Sequence, residues 1–248
     1  MDLLKEFLYK VADDELILGH RNSEWTGLGP MLEEDIAFSS MAQDKIGHAN
    51  ALYNILYIEL GEQQPDQIAF GRKEKDFKCC HLVEMPNGEY DFSLIRHFLF
   101  DHSELLRYTL LEQSSFAPLA QLAKKIKGEL KYHVLHGDTW IKKLGKANEE
   151  SHARMQSALN EAWPLALGIF EEGPYEVELI SQGIFVGEAT LKEQWLVSVS
   201  TILELANLKI PVNIEASLGG RRGYHTEHLA PLLKEMTEVF SLDPNAEW

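Results

Sequence analysis

Four long segments of the sequence have the periodicity of amphipathic helices, and each has ionisable side chains in line with its apolar ones. In the first segment, Glu15 shares one helical face with Leu4, Leu8, Val11 and Leu18. Apolar residues that recur every three or four positions predict a helix with one buried face. Because a charged side chain on such a face is costly to bury without a partner, we expect the helices to bring these polar groups together.

The second, third and fourth segments repeat this arrangement. Their apolar faces include a lysine, an aspartate and two histidines, and a glutamate lies at the edge of the fourth face. Each segment therefore contributes to one set of polar positions. These positions are Lys45 and His48 in the second segment, Asp101 in the third, and Glu129 and His133 in the fourth, where the apolar Leu130 lies three residues before His133.

Glycine, proline and polar stretches divide the chain into helices. The polar stretch from Glu62 to Tyr90, with the turn Pro86-Asn87-Gly88, predicts a long crossover connection after the second helix. Four helices with such a crossover have the layout of a ferritin-like bundle. We therefore predict a single all-α domain over residues 1–248, a ferritin-like four-helix bundle with extra C-terminal helices. The predicted helices cover residues 2–19, from after Pro30 to Leu60, 92–113, 118–144, 150–170, 191–207 and 225–240, with Gly61 and Gly145 ending the second and the fourth.

Composition and charge exclude several classes of protein. Hydrophobic residues make up 45% of the 248 residues, which is too many for a disordered chain. The formal net charge of -16 argues against nucleic-acid partners and anionic membrane surfaces, since both would repel the chain. No run approaches the roughly 20 apolar residues that span a bilayer, and the N-terminus lacks the pattern of a signal peptide. We expect a soluble cytoplasmic protein.

Several common site motifs are absent from the sequence. It has no Gly-x-Ser-x-Gly elbow, P-loop or dinucleotide fingerprint. The only cysteines, Cys79 and Cys80, are adjacent, so they form neither a disulfide framework nor a credible iron–sulfur site. The sequence assigns these two cysteines no role. Four further histidines are predicted to lie in loops or at the surface: His81, His97, His136 and His152.

The order of the polar positions matches the ligand pattern of a di-iron helical bundle, with two substitutions. Such bundles use Glu, Glu-x-x-His, Glu, Glu-x-x-His, because residues three apart share a helix face. Here Lys45 and Leu130 stand where two of the glutamates are expected, three residues before His48 and His133. An ammonium group at position 45 would offset the neighbouring carboxylates and repel an incoming iron ion. The pattern predicts a degenerate site without metal.

Two other interpretations of these positions stay open. The polar residues are also compatible with ordinary groups at the edge of the core, each satisfied by local partners. Alternatively, Glu15, His48, Asp101 and His133 form a mononuclear site, since two histidines and two carboxylates are a competent ligand set for a divalent ion.

A glycine-rich segment near the C-terminus is the second candidate site. Thr226 is a candidate N-cap for the last helix, and glycines allow the backbone to approach a phosphate or another chain closely. A capped loop and a contact surface for a partner or ligand are both compatible with the segment. Its candidate contact residues are Gly219, Gly220, Arg221, Arg222, Gly223, His225, Glu227 and His228.

Several blocks of sequence resemble the C-type subunits of bacterial ring-1,2-phenylacetyl-CoA epoxidases, over nearly the whole length. The longest runs from Gly219 through His225 to Leu229, followed by Glu235-Met236. Others are Glu24-Trp25-Thr26-Gly27, Asp44 with Gly47, Glu84 with Pro86-Asn87-Gly88, Tyr132-His133, Trp140 with Leu144-Gly145, and Met155-Gln156.

The resemblance implies a structural subunit of a multicomponent monooxygenase in phenylacetate catabolism. In such a complex a homologous catalytic subunit holds the di-iron centre, and a reductase with FAD and an iron–sulfur cluster delivers electrons from NADPH. The resemblance implies that this chain binds none of these cofactors and pairs with the catalytic subunit. A small subunit, the reductase and a second copy of the chain are further candidate partners. The Asp-Glu-Ala-Gly-His motif of the catalytic subunits matches Asp44-Lys45-Ile46-Gly47-His48.

Two rival classes of function remain beside the non-catalytic subunit, so the sequence leaves open whether the chain is an enzyme. It would be an oxidase or oxygenase in its own right if Glu15, His48, Asp101, Glu129 and His133 held metal. It would otherwise be a self-assembling helical bundle that stores or binds a small molecule.

Overall fold

The computed structural model describes residues 2–244, and within them all regular structure is helical. Six helices of this part of the chain have 18 residues or more, and the others are short. No helix of these residues combines the length and the apolar character needed to cross a membrane. The α-helices are α1 Asp2–Ser23, α2 Leu32–Leu60, α3 Pro65–Phe70, α4 His81–Glu84, α5 Tyr90–Leu111, α6 Ala117–Ala147, α7 Glu149–Leu167, α8 Glu176–Ser181, α9 Glu188–Leu205 and α10 Leu229–Met236.

The chain forms two compact units. Among the described residues, the first comprises 2–86 together with 219–244, and the second comprises Asn87–Leu218. The single domain predicted over residues 1–248 stays a prediction, and residue 1 and residues 245–248 lie outside the described residues.

Glycine marks the end of one long helix but not of another. Gly61 ends α2 as predicted, because its left-handed backbone (φ 72°) lets its N–H reach the carbonyl of Leu56. The prediction that Gly145 ends the fourth long helix is wrong, since α6 continues to Ala147. A Cβ at Gly145 would lie 2.5 Å from the carbonyl oxygen of Ala206, so this glycine serves close packing.

The predicted crossover, residues 62–90, is more ordered than a loop. It contains α3, α4 and a 3₁₀ turn at Glu74–Asp76. Several of its apolar side chains, including Ile68, Phe77 and Leu82, are buried. The polar character of the stretch concealed these anchors, because they do not recur with a helical or a strand period.

Two consecutive aspartates of α1 anchor the rest of the first unit. Asp13 is fully buried and accepts hydrogen bonds from the hydroxyl of Tyr53 (2.6 Å) and the backbone N–H of Lys78 (2.7 Å). It also pairs with the guanidinium of Arg72 at 2.5 Å. The neighbouring Asp14 accepts from the backbone of the crossover and from the C-terminal segment. A buried carboxylate with this many donors holds its partners in one geometry.

Helix α5 lies at the centre of the second unit, where it packs against α6, α7 and α9. Trp195 of α9 is fully buried and donates its indole N–H to the carbonyl of Leu99 (2.9 Å). Arg107 of α5 pairs with Glu104 (2.9 Å) and Glu188 (2.6 Å), and all three are buried. The second unit thus combines an aromatic core with a buried ion-pair network.

Candidate functional site

The first unit brings three of the predicted site residues together. Lys45 and His48 lie three positions apart on α2 and face Glu15 of α1. The Nζ atom of Lys45 is 3.4 Å from Oε2 of Glu15, and Nδ1 of His48 is 3.6 Å from the same oxygen. Lys45 and Glu15 are fully buried and His48 is nearly so. A buried carboxylate is therefore shared by an ammonium group and an imidazole.

This donor set does not fit a di-iron centre. An ammonium group has three donors and no lone pair, so it binds no metal unless it loses its proton. Placed at 3.4 Å from Glu15, the charge of Lys45 neutralises the carboxylate that a metal ion would need. In the second unit, the buried Leu130 supplies no ligand atom at the matching position.

The second unit places Asp101, Leu130 and His133 in its core, all of them buried. Nδ1 of His133 lies 3.7 Å from Oδ2 of Asp101. Glu129 is half-buried beside Leu130 on α6, which agrees with its predicted position at the edge of the face.

A histidine that the sequence placed at the surface belongs to this second cluster. His97 is buried, and its Nδ1 lies 2.5 Å from Oδ2 of Asp101. Its Nε2 lies 3.2 Å from Nδ1 of the half-buried His136. The sequence did contain a sign of this burial, because His97 precedes Asp101 by four residues and therefore shares its helix face. The surface prediction is also wrong for His81, whose Nε2 lies 2.8 Å from the carbonyl oxygen of Tyr224.

Burial controls the charge of His97. It lowers the pKa of the imidazole from 6.5 to about 4, although the neighbouring Asp101 opposes this shift. The nearby His136 and His133 lower the pKa further. His97 is therefore neutral at pH 7 in the folded chain.

We expect His97→Asn to reduce the loss of stability on acidification. In the unfolded chain the imidazole gains a proton near pH 6.5, whereas in the folded chain it does so only near pH 4. The unfolded state binds more protons in this window, so the folded state loses stability as the pH falls through it. Between about pH 7.5 and 5 this histidine should contribute about 2 kcal/mol of the loss.

The measurement is chemical denaturation of both proteins at several pH values, with His152→Asn as a control for loss of a histidine elsewhere. His152 is half-buried, and its Nδ1 lies 2.9 Å from the carbonyl oxygen of Gly145. Equal acid sensitivity of His97→Asn and the unsubstituted chain would contradict this account.

Each half of the predicted site lies within its own unit. Local pairs exist in both halves, between Lys45 and Glu15 and between His97 and Asp101. An approach of Lys45 to Asp101 and the mononuclear ligand set both stay predictions.

The glycines of the C-terminal segment permit tight packing within the first unit. Gly219 and Gly223 have positive φ angles of 128° and 79°, which disfavour other residues. A Cβ at Gly220 would lie 2.2 Å from the carbonyl oxygen of Cys79, and one at Gly223 would lie 2.3 Å from that of Lys75. The close approach that these glycines allow is thus to the chain's own backbone.

Arg221, a predicted contact residue, is buried and bound within the chain, and its contact with a partner or ligand stays a prediction. Its guanidinium is buried and binds both carboxylate oxygens of Asp14, each at 2.7 Å. Arg222 and Glu227 are exposed, and His228 is half-buried. A contact between these three residues and a partner stays a prediction.

Glu84 of α4 holds the next part of the C-terminal segment. Its Oε2 accepts hydrogen bonds from the backbone N–H and the hydroxyl of Thr226, both at 2.7 Å. Nδ1 of His225 lies 2.8 Å from its Oε1. Although burial alone would raise it, these hydrogen bonds lower the pKa of Glu84. Thr226 is therefore not the N-cap predicted for the last helix, which begins at Leu229 and ends at Met236.

The fold and the site define an all-α protein in which a buried lysine interrupts a metal-ligand pattern. Residues 1–248 match the family described as phenylacetic acid catabolic protein, and the chain belongs to this family. It is 31% identical over 248 residues, the full length of both chains, to the C-type subunit of 1,2-phenylacetyl-CoA epoxidase from Escherichia coli (strain K12). The resemblance seen in the sequence and the all-α, ferritin-like fold class are confirmed.

Proposed function

We propose that this chain is a non-catalytic, structural subunit of a 1,2-phenylacetyl-CoA epoxidase complex in phenylacetate degradation. The observation that carries the proposal is the buried pair of Lys45 and Glu15, with 3.4 Å between ammonium nitrogen and carboxylate oxygen. The full-length similarity to a C-type subunit of such an enzyme supports the same role.

The lysine supports a structural role for a physical reason. In a core, an ammonium group and a carboxylate neutralise each other and are costly to separate. For Glu15 to bind a cation, its ion pair with Lys45 would have to break, and the fully buried ammonium group would lose this carboxylate. The pair therefore leaves no net charge in the core and opposes metal binding at the same time.

The surface of the first unit supports association with another subunit. Helix α2 exposes Leu32, Ile36 and Ile58, which are large apolar side chains. Obligate partners bury such apolar surface when they assemble. The proposed partner is a homologous ferritin-like subunit that catalyses the epoxidation.

The rest of the complex supplies the redox chemistry in this proposal. The catalytic subunit would hold the di-iron centre, and a reductase with FAD and an iron–sulfur cluster would take electrons from NADPH. A small subunit and a second copy of this chain are further proposed partners. This chain would bind none of these cofactors, and the assembly would lie in the cytoplasm.

Reconstitution with the catalytic subunit and reductase from the same organism tests the proposal. The chain alone should not convert phenylacetyl-CoA, and the catalytic subunit should need the chain for solubility or turnover. The complex with His48→Gln and His133→Gln in this chain should stay active, because neither side chain would hold iron. If turnover vanished while size-exclusion chromatography showed an intact complex, the chain would contain a catalytic centre and the proposal would be wrong.

The second candidate is a metal-dependent oxidase or oxygenase in its own right. The observation in its favour is that both motif histidines are buried beside carboxylates, His48 by Glu15 and His133 by Asp101. Iron analysis after aerobic reconstitution separates the candidates. About two irons per chain would support the enzyme and contradict the structural subunit.

A further inference from the structure

Three potential metal ligands meet in the first unit at a place that the proposed function does not use. They are Cys79 in the crossover, Glu84 of α4 and His225 in the C-terminal segment. The Sγ atom of Cys79 lies 3.7 Å from Oε1 of Glu84 and 3.9 Å from Nδ1 of His225. Oε1 and Nδ1 are 2.8 Å apart. One ligand atom from each residue thus faces a common point.

The remaining polar atoms of these side chains are held by other groups. The second oxygen of Glu84 accepts two hydrogen bonds from Thr226, which leaves Oε1 for the cluster. Nε2 of His225 lies 3.1 Å from the carbonyl oxygen of Phe77, so a proton on this nitrogen has an acceptor. Metal-binding histidines characteristically donate their other N–H to a carbonyl or a carboxylate. A proton on Nε2 can therefore stay in place when Nδ1 binds an ion, whereas a proton that Nδ1 shares with Glu84 has to leave before the Nδ1 lone pair can bind.

We propose that Cys79, Glu84 and His225 bind one divalent ion of the zinc class. Thiolate, imidazole and carboxylate are the ligands of zinc, and sulfur disfavours magnesium and calcium. The charges balance, because one thiolate and one carboxylate offset the two positive charges of the ion. This balance suits a cluster in which the side chains of Glu84 and His225 are fully buried.

Binding exchanges protons for the ion. Burial raises the pKa of the Cys79 thiol, so the sulfur carries a proton at neutral pH in the metal-free chain. The ion displaces this proton, which leaves to solvent, and forms a bond to the sulfur. Nδ1 of His225 releases any proton that it shares with Glu84 in the metal-free chain. No redox change takes place.

The ion would tie together two segments far apart in the chain. Cys79 and Glu84 are separated from His225 by 146 and 141 residues, respectively. An ion that binds only the folded chain stabilises it increasingly as the concentration of free ion rises above the dissociation constant. The ion would therefore stabilise the folded chain, and its site is separate from the one that contains Lys45. It is a metal site that the sequence alone did not predict.

Titration of the full chain with Co²⁺, after removal of bound metal by a chelator, tests the proposal. We expect about one equivalent to bind, with the charge-transfer absorption of a thiolate–cobalt bond and displacement by Zn²⁺. Cys79→Ala should weaken binding by more than the roughly 10–100-fold that loss of an outer-shell partner costs. This variant leaves the contact between Glu84 and His225 intact, so it should fold.

Cys80→Ala is the matched control, because Cys80 is the adjacent buried cysteine and its sulfur is outside the cluster. It should retain the cobalt absorption and the rise in melting temperature with Zn²⁺, whereas Cys79→Ala should lose both. The proposal is overturned if the unsubstituted chain binds no Co²⁺, or if Cys79→Ala binds it with unchanged affinity and spectrum.

Discussion

Replacing Arg221 by methionine should lower the free energy of unfolding by about 4 kcal/mol. The guanidinium of Arg221 binds both oxygens of Asp14 at 2.7 Å and donates to the carbonyl of Lys78 at 2.8 Å. Asp14 is 2% exposed. Without Arg221, its charge would stay buried and lose the guanidinium that offsets it, although the backbone N–H of Cys80 would still donate at 2.8 Å. An uncompensated buried charge is among the largest single-residue costs.

Arg222→Met is the matched control, since Arg222 is the exposed neighbour of the same residue type. Exposed substitutions of this kind change stability by about 0.5 kcal/mol or less. The measurement is denaturant unfolding of the two variants beside the unsubstituted chain. Similar midpoints for the two variants would show that the buried pair contributes little and that this account of the C-terminal segment is wrong.

Adding Asp14→Asn to Arg221→Met should restore part of the lost stability. The double variant removes the buried charge while it keeps a polar group near the N–H of Cys80. If stability recovers, the buried charge of Asp14 causes the loss. If stability does not recover, the loss comes from the packing of the arginine side chain.

The elements that the sequence predicted correctly depend on local periodicity. The apolar faces of the first two long helices are buried as the spacing predicted, as Leu8 and Leu52 illustrate. Glu15 and Lys45, which lie in line with these faces, are buried with them. Helical spacing relates residues three or four positions apart, and a sequence displays such relations directly. For the same reason the sequence alone could predict Lys45 and Leu130 as substituted ligand positions, which stays a prediction.

The contacts that the sequence did not predict join residues that are far apart in the chain. Asp14 and Arg221 are 207 positions apart, and Glu84 and His225 are 141 apart. No periodicity relates such residues. From the sequence, Arg221 was therefore interpreted as a contact residue, and His225 was interpreted as the first residue of a helix. His97 is different, because its spacing from Asp101 carried a signal that the surface interpretation did not use.

The candidate site could therefore be predicted as a set of positions but not as a set of contacts. Lys45 was expected to pair with carboxylates, and the structure places its ammonium group beside Glu15. The Cys79 cluster needs the crossover and the C-terminal segment to meet, which only the fold of the first unit specifies. Long-range pairing of this kind depends on the whole chain.

Replacing Lys45 by methionine should lower the free energy of unfolding by about 3 kcal/mol at neutral pH. Methionine fills much of the same volume, so the loss would come from charge and not from a cavity. Glu15 is fully buried, and without the ammonium at 3.4 Å its carboxylate would lose a cation that offsets its charge.

Two further variants isolate the cause of this loss. Lys131→Met removes an exposed lysine from α6 and should change stability by about 0.5 kcal/mol or less. Glu15→Gln combined with Lys45→Met removes both charges and should recover most of the stability, since a buried ion pair often contributes little compared with neutral groups of similar size. Thermal and denaturant unfolding of all three variants make the comparison. An unchanged or raised melting temperature of Lys45→Met at neutral pH would mean that the ammonium does not stabilise Glu15 and that Lys45 does not take the place of a metal ion.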